Sequence, residues 1–285
     1  MRPSKELLAK SVFLCCAIAS AAIILAILGF MVALGIPLFR ESTFSAIWSG
    51  PWAPHRGAYG IWAMISGTFW IAFLAAMICL PLSLGMSFVI SSLAGRRVRK
   101  LLGALVRFMT GIPTVIYGFI GIFLLVPLIR EGLGGPGICV LTASIMLAIL
   151  ISPTMILFFT DSLLAVNAAY VQAAKALGAN RVQRLLYVMV PRALGGMVSG
   201  FILALGRALG DTLIALMLAG NAIRPPQGFL EPARTLTAHI ALVKAADFDS
   251  MEFRSIFACG IALYLFTILA TIAVRMMARE RVAVS

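Results

Sequence analysis

Charged residues are scarce in this chain and acids are scarcest: only 12% of its 285 residues are Asp, Glu, Lys or Arg, and ten acids stand against 23 bases. A soluble domain carries about a quarter of its residues as charges, so a water-soluble globular fold is excluded. Histidine occurs twice, as His55 and His239, with no nucleophile nearby and no partner at metal-ligand spacing, which leaves no material for a His-based catalytic or metal centre. The cysteines, Cys15, Cys16, Cys79, Cys139 and Cys259, form no CxxC pair and fall within or beside apolar runs, where they read as small packing residues. No stretch matches GxxxxGK[ST], so the chain has no phosphate-cradling loop of its own and does not hydrolyse ATP by itself. An internal repeat is also missing, which removes one pointer to an inverted-repeat secondary carrier.

What the chain has in excess is apolar sequence. Hydrophobic residues make up 62% and the mean hydropathy is +1.05. Runs long enough to cross the ~30 Å hydrocarbon layer lie near 11–36, 64–93, 104–130, 137–160, 194–220 and 254–275. The expectation is an all-α polytopic membrane protein with six transmembrane helices. The first run is too long for a signal-peptide core and ends at Gly35-Ile36-Pro37 without a small-x-small cleavage site, so it is expected to remain as an anchor.

Lys and Arg then fix an orientation. With the N-terminus inside, fifteen bases fall on inner segments, among them Arg96, Arg97, Arg99, Lys100, Arg107, Lys175, Arg181, Arg184 and Arg192, against seven outside. With inner acids subtracted, +12 of the total +13 sits on one face, the positive-inside pattern. Both termini are expected in the cytoplasm. The basic balance reads as topology and as contact with anionic lipid, and nucleic-acid binding explains it poorly.

Along the chain, Trp48, Trp52, Tyr59 and Trp62 in the first outer loop read as an interfacial belt of aromatic rings. Pro81 is expected to kink the second helix, and Leu93 to Arg107 reads as a compact basic turn. The third helix carries Thr110-Gly111-Ile112-Pro113-Thr114. A Gly/Pro break frees backbone polar groups that lipid cannot satisfy, so Thr110 and Thr114 are candidate pathway-lining residues, with a packing kink as the competing reading. Ser152-Pro153-Thr154 raises the same question less forcefully. In the fifth helix, Arg207 and Asp211 lie four residues apart in an apolar run, on one helix face, where they are expected to pair. Ionisable groups there cost about 2.5–3.5 kcal/mol each on insertion scales and mark function more often than fastening. Thr235 to Lys244, in the longest outer loop, reads as a short amphipathic helix suited to receiving a soluble protein.

The segment Val171 to Gly196 is the longest weakly apolar, basic stretch between spans. Ala173, Ala174 and Ala176 bare one side of a short helix, Gly178 supplies a turn, and Asn180 caps a second helix in which Leu185, Leu186 and Val188 share an apolar side. Pro191 is expected to close that helix. Such a bend on the basic face suits docking into a groove.

Gln172-Ala173-Ala174, Gly178 and Pro191 resemble the EAA…G…P signature of ABC importer permeases, with Gln172 where Glu is usual. GIPTVIYG (Gly111 to Gly118), GRALGDT followed by MLAGN (Gly206 to Asn221) and TLTAHIA (Thr235 to Ala241) resemble stretches of phosphate importer permeases of the PstC type. Asp211 stands where that family usually has Glu, and Asn167 where it usually has Pro. The resemblance, covering roughly residues 57–275, implies a type I importer permease. Its anchor helix and outer loop would occupy 1–63, its core 64–275 with a coupling segment at 161–192, and its cytoplasmic tail 276–285. It implies an inorganic phosphate substrate in a bacterial or archaeal cytoplasmic membrane. The implied partners are a second, PstA-like permease, two ATPase subunits that bind ATP and Mg, and an extracytoplasmic phosphate-binding protein. The chain itself would hold no cofactor and catalyse no reaction. A permease for molybdate, sulfate or phosphonate, or an ion-coupled carrier using Asp211, remains open at this point.

Overall fold

The structure is a computed structural model that describes residues 3–41, 47–48, 50–244, 247 and 250–283. Twelve labelled helices run in order among these residues. They are α1 (Pro3–Glu41), α2 (Trp62–Phe88), α3 (Arg96–Thr110), α4 (Thr114–Ile120), α5 (Val126–Leu133), α6 (Val140–Leu164), α7 (Ala168–Ala176), α8 (Arg181–Arg184), α9 (Val190–Gly210), α10 (Leu213–Leu218), α11 (Leu236–Val243) and α12 (Met251–Ala283). A small hairpin pairs β1 (Trp52–Ala53) with β2 (Ala58–Tyr59) before α2. The candidate spans are Ala9–Ile36, Trp62–Leu93, Thr114–Leu133, Val140–Leu164, Arg181–Gly210 and Met251–Met276, six as expected.

Burial ranks these helices. Two thirds of the most apolar window of α6 is enclosed by the rest of the chain, and none of that of α1. So α6 is the axis, with α2 and α9 packed against it through Ile71, Ala75, Cys79, Met155, Phe159, Met197, Ala204 and Ala208. Between lipid-soluble helices no hydrophobic drive remains, so close approach depends on small residues. Gly196 of α9 lies against Ser162 of α6, and Gly200 against Phe158, so closely that a methyl group at either position collides with the neighbour. The Ser144 hydroxyl, shared between its own Val140 carbonyl at 2.7 Å and the Ile71 carbonyl of α2 at 3.2 Å, lies on the other side of α6. The first helix touches α12, where Phe30 meets Phe257 edge to face at 6.1 Å, and otherwise presents Phe13, Ile18, Leu25 and Ile27 to its surroundings.

Several expectations change. Leu93 to Arg107 is no compact turn: a π turn (Val89–Leu93) ends the second span and α3 follows. Here Val98, Leu101, Leu105 and Phe108 form an exposed stripe beside Arg96, Arg97 and Lys100. The Gly/Pro break consequently precedes the third span, because the charges of α3 keep that helix from entering the apolar layer. The fifth span begins at Arg181 and ends at Gly210, earlier than the apolar run suggested. Pro191 does not close a helix. A π turn (Leu185–Met189), whose closing bond runs from the Val190 N–H to the Leu185 carbonyl, widens the coil just before the proline. That widening accommodates the missing donor and the ring, so the helix continues. Its buried side is Leu185 and Met189, while Leu186 is exposed.

Trp52 belongs to no interfacial belt. It is 8% exposed and packed with Ile61, Met64 and Leu236 in a second cluster, because the hairpin folds back over the ends of α2 and α11. Nor is α11 a free receiving surface, since Leu236, Thr237, Ala238 and His239 are all buried. Of the expected tail, residues 284–285 lie outside the described set.

Candidate functional site

The fifth span stops where its sequence makes stopping easy. Gly210 is a poor helix former, and Asp211 leaves the helix with an extended ψ of 128°. Its Oδ2 accepts the Ile214 N–H at 2.9 Å, filling one of the orphan donors at the start of α10. Arg207 and Asp211 therefore do not share a helix face as a simple pair. The Arg207 guanidinium, exposed on the outside of the chain's own core, donates through Nη1 to Thr154 Oγ1 on α6 at 3.2 Å. The two charges still lie within electrostatic reach of each other, and Tyr117 lies within reach of Arg207. A guanidinium oriented by a neutral hydroxyl keeps planar donors for an anion, which a bidentate carboxylate partner would occupy.

Thr110 and Thr114 flank the break before α4. The Thr110 hydroxyl is turned back onto the Arg107 carbonyl at 2.7 Å, and Thr114 is half-buried in the first turn of α4. Tyr117 crosses the break and donates its hydroxyl to the Met109 carbonyl at 3.1 Å, satisfying a group the break would leave bare. Through Tyr117 the break is joined to the surroundings of Arg207. Gly118 and Gly121 permit this fold, since side chains there would collide with Met217 and Leu218 of α10. Tyr117 carried no signal in the sequence beyond its place in GIPTVIYG, whereas the Ser-Pro-Thr at 152–154 did hint at Thr154.

The GRALGDT and TLTAHIA stretches meet. Thr237 donates its hydroxyl to the Asp211 carbonyl at 2.8 Å, and Thr235 caps α11 by accepting the Ala238 N–H at 3.1 Å. The chain reaches α11 by crossing itself: Gly220 and Asn221 take left-handed φ of 85° and 54°, and the Ala233 N–H donates to the Ala219 carbonyl at 2.7 Å. A side chain at Gly220 would strike Pro232 and the Ile138 carbonyl. Arg234 locks the crossing, donating through Nε to the Asn221 carbonyl at 3.1 Å and facing His239 Nδ1 at 3.4 Å. Arginine only donates, so Nδ1 of His239 is the acceptor and its proton sits on Nε2. His239 is fully buried with the Trp52 ring 4.3 Å away, and burial together with the Arg234 charge pushes its pKa down to about 4. Burial also lowers the pKa of Arg234.

On the other end lies the segment from α7 to the π turn. Asn167 caps α7, its side chain accepting the Ala169 N–H at 2.9 Å, a role a proline ring does not offer. None of the nine residues of α7 is fully buried: Gln172 and Ala173 are exposed, while Ala174 is half-buried and Val171 packs on the core. Gly178 holds φ at 85° in open space, so a β-branched residue there is opposed by conformation alone, with no clash. Asn180 and Gln183 form a reciprocal capping box, with both bonds at 2.9 Å. Leu177 is 90% exposed at the bend and Tyr187 78%. The Arg192 guanidinium carbon sits 3.6 Å above the centre of the Tyr170 ring, a contact worth about 0.5–1 kcal/mol at an exposed site.

Residues 80–282 match the family model described as a binding-protein-dependent transport system inner membrane component. The chain is 30% identical over 249 residues to the phosphate transport system permease protein PstC of Pasteurella multocida, covering 80% of this chain and 78% of that one. It is 31% identical over 278 residues to the PstC of Mesorhizobium japonicum, covering 88% and 84%. Among solved structures, it resembles a chain of a bacterial alginate ABC transporter in complex with an alginate pentasaccharide-bound periplasmic protein, with a TM-score of 0.67 at 15% identity over 99% of both chains. That likeness speaks to the fold alone.

Proposed function

The chain belongs to the family of binding-protein-dependent transport system inner membrane components, with the fold of type I ABC importer permeases, and from this premise we propose that it carries inorganic phosphate inward across the cytoplasmic membrane. In this reading it pairs with a second, PstA-like permease and with two ATPase subunits, which bind ATP and Mg. An extracytoplasmic phosphate-binding protein delivers the anion. The relatives' phosphate permeases support the substrate. The single observation that carries the site is Arg207, a guanidinium within a membrane span, exposed off the chain's own core and oriented by a neutral hydroxyl.

The mechanism is alternating access. ATP closes the ATPase pair, α7 moves with it, and the path between the two permeases changes the side on which it opens. Arg207 meets the phosphate in passing, and Asp211, within electrostatic reach, weakens the hold so that the anion leaves. Thr110 and Thr114 stand at the inner approach, and Gln172, Ala173, Ala174, Gly178 and Pro191 shape the surface that meets the ATPase. Both termini lie in the cytoplasm.

The test is ATP-dependent uptake of radiolabelled phosphate by the reconstituted complex, with sulfate and molybdate as competitors. Arg207→Gln is expected to cut uptake by a hundredfold or so while the protein still assembles, and Arg207→Lys to recover only part, since ammonium lacks the planar fork. Asp211→Asn keeps an acceptor for the Ile214 N–H and is expected to fold. Undiminished uptake by Arg207→Gln, or uptake of sulfate in preference to phosphate, would overturn the assignment.

A further inference from the structure

The helix α7 has little to hold it. No residue of it is fully buried, and Val171 and Ala174 alone come near half-burial on its inner side. A helix so lightly attached needs a side-chain link if its motion is to reach the fifth span. Beside the packing of Val171 on the main core, α7 is tied to the fifth span by the stack of Arg192 on Tyr170, 3.6 Å from guanidinium carbon to ring centre. Open cavities lie on either side of it. One of about 720 Å³ is lined by Tyr170, Ala173, Tyr187 and Arg192, and one of about 410 Å³ by Ser162, Asn167, Tyr170 and Arg192.

Arg192 is in the first turn of α9, the helix that carries Arg207. At about 1.5 Å per residue, the two lie about 22 Å apart along one rod. Between them Gly196 and Gly200 rest directly on Ser162 and Phe158 of α6, so the rod is pinned to the axis helix near its middle. A push on the Arg192 end of a helix pinned there moves the Arg207 end the other way, sliding the guanidinium against Thr154. We propose that the Tyr170–Arg192 stack is a strut that carries motion of α7 into the fifth span, making Tyr170 and Arg192 positioning residues for transport. This rests on the importer reading above. The face of the ring and the positive charge are the working parts, and the phenol hydroxyl is not.

The experiment uses the complete reconstituted complex, with Cys15 and Cys16 replaced by alanine and Leu203→Cys introduced as a reporter on α9. Three quantities are read together: uptake of inorganic phosphate per assembled complex, ATP hydrolysis with and without the loaded binding protein, and ATP-dependent labelling of the reporter thiol. Tyr170→Leu and Arg192→Gln are expected to lower uptake about tenfold or more, within the range of ordinary coupling between sites. Hydrolysis continues but no longer responds to the binding protein, and the reporter no longer responds to ATP. Tyr170→Phe keeps all three near wild type, Arg192→Lys is intermediate, and the double variant is no worse than either single one. Full uptake by Tyr170→Leu or Arg192→Gln overturns the strut. So does loss of ATPase subunits from the complex in proportion to lost uptake, because the pair is then a docking contact. A wild-type reporter that responds to ATP without phosphate uptake sinks the substrate reading and leaves the strut standing, and a wild-type reporter that ignores ATP sinks both.

Discussion

His239 is neutral in the fold because protonation would place a second cation beside Arg234 in a space that water does not reach. Its native pKa of about 4 lies below its ordinary 6.5, so as pH falls the unfolded chain takes up the proton first. Stability is therefore complete above about pH 6.5 and declines towards pH 4, by up to about 3 kcal/mol at one group. Thermal inactivation of the purified protein, followed from pH 7.5 to 4.5 (bounds taken around the ordinary His range), is expected to steepen on the acid side. His239→Asn keeps an acceptor near Nδ1 and cannot take the proton, so its profile is expected to be flatter. An unchanged profile would show that His239 is not the group that titrates. In the same way, Asp211 departs from the expected ion pair at the scale of a single residue: its carboxylate is claimed by the Ile214 N–H, a nearer and better-aligned donor once the helix has ended.

Among the elements, the contact of α6 with α9 governs how the spans hold together. Gly196 faces the rotatable end of Ser162, whereas Gly200 faces the Cβ of Phe158, which cannot swing aside. Gly200→Ala is therefore expected to destabilise the protein by about 1–3 kcal/mol, the usual range for overpacking, and Gly196→Ala by less. Gly195→Ala points into open space and is expected to be neutral or slightly stabilising. Denaturation in a mild detergent series reads the order, and equal losses at 195 and 200 would mean that this close approach does not limit stability. The π turn before Pro191 belongs to this scale too. It converts a residue that ends most helices into one that merely offsets the coil, which is why the fifth span runs unbroken from Arg181.

For the molecule as a whole, the proposed topology, with both ends in the cytoplasm, rests on an even number of candidate spans and on the concentration of bases on α3 and on α7 to α9. In a background with its native cysteines replaced, Arg56→Cys is expected to label in intact cells, and Arg97→Cys and Gln183→Cys only after permeabilisation. The opposite pattern would reverse every role assigned to α7 and Arg207.

The class of the molecule was legible in its sequence because lipid imposes a coarse rule: a span needs a long apolar run, and six such runs are plain in the chain. Local chemistry was legible for a similar reason. Gly178 as a left-handed turn and Asn180 as a cap depend on a few neighbouring residues, and both hold in the structure. What only the tertiary structure decided are the places where one stretch answers another far away. Arg207 finds Thr154, Thr237 finds the Asp211 carbonyl, and Trp52 leaves the interface to pack on His239. No periodicity foretells such partners, because a side chain inside a membrane protein takes whichever donor or ring the packing of other helices brings within about 3–4 Å, and that packing is set by small residues such as Gly118, Gly196 and Gly200 acting across the whole chain.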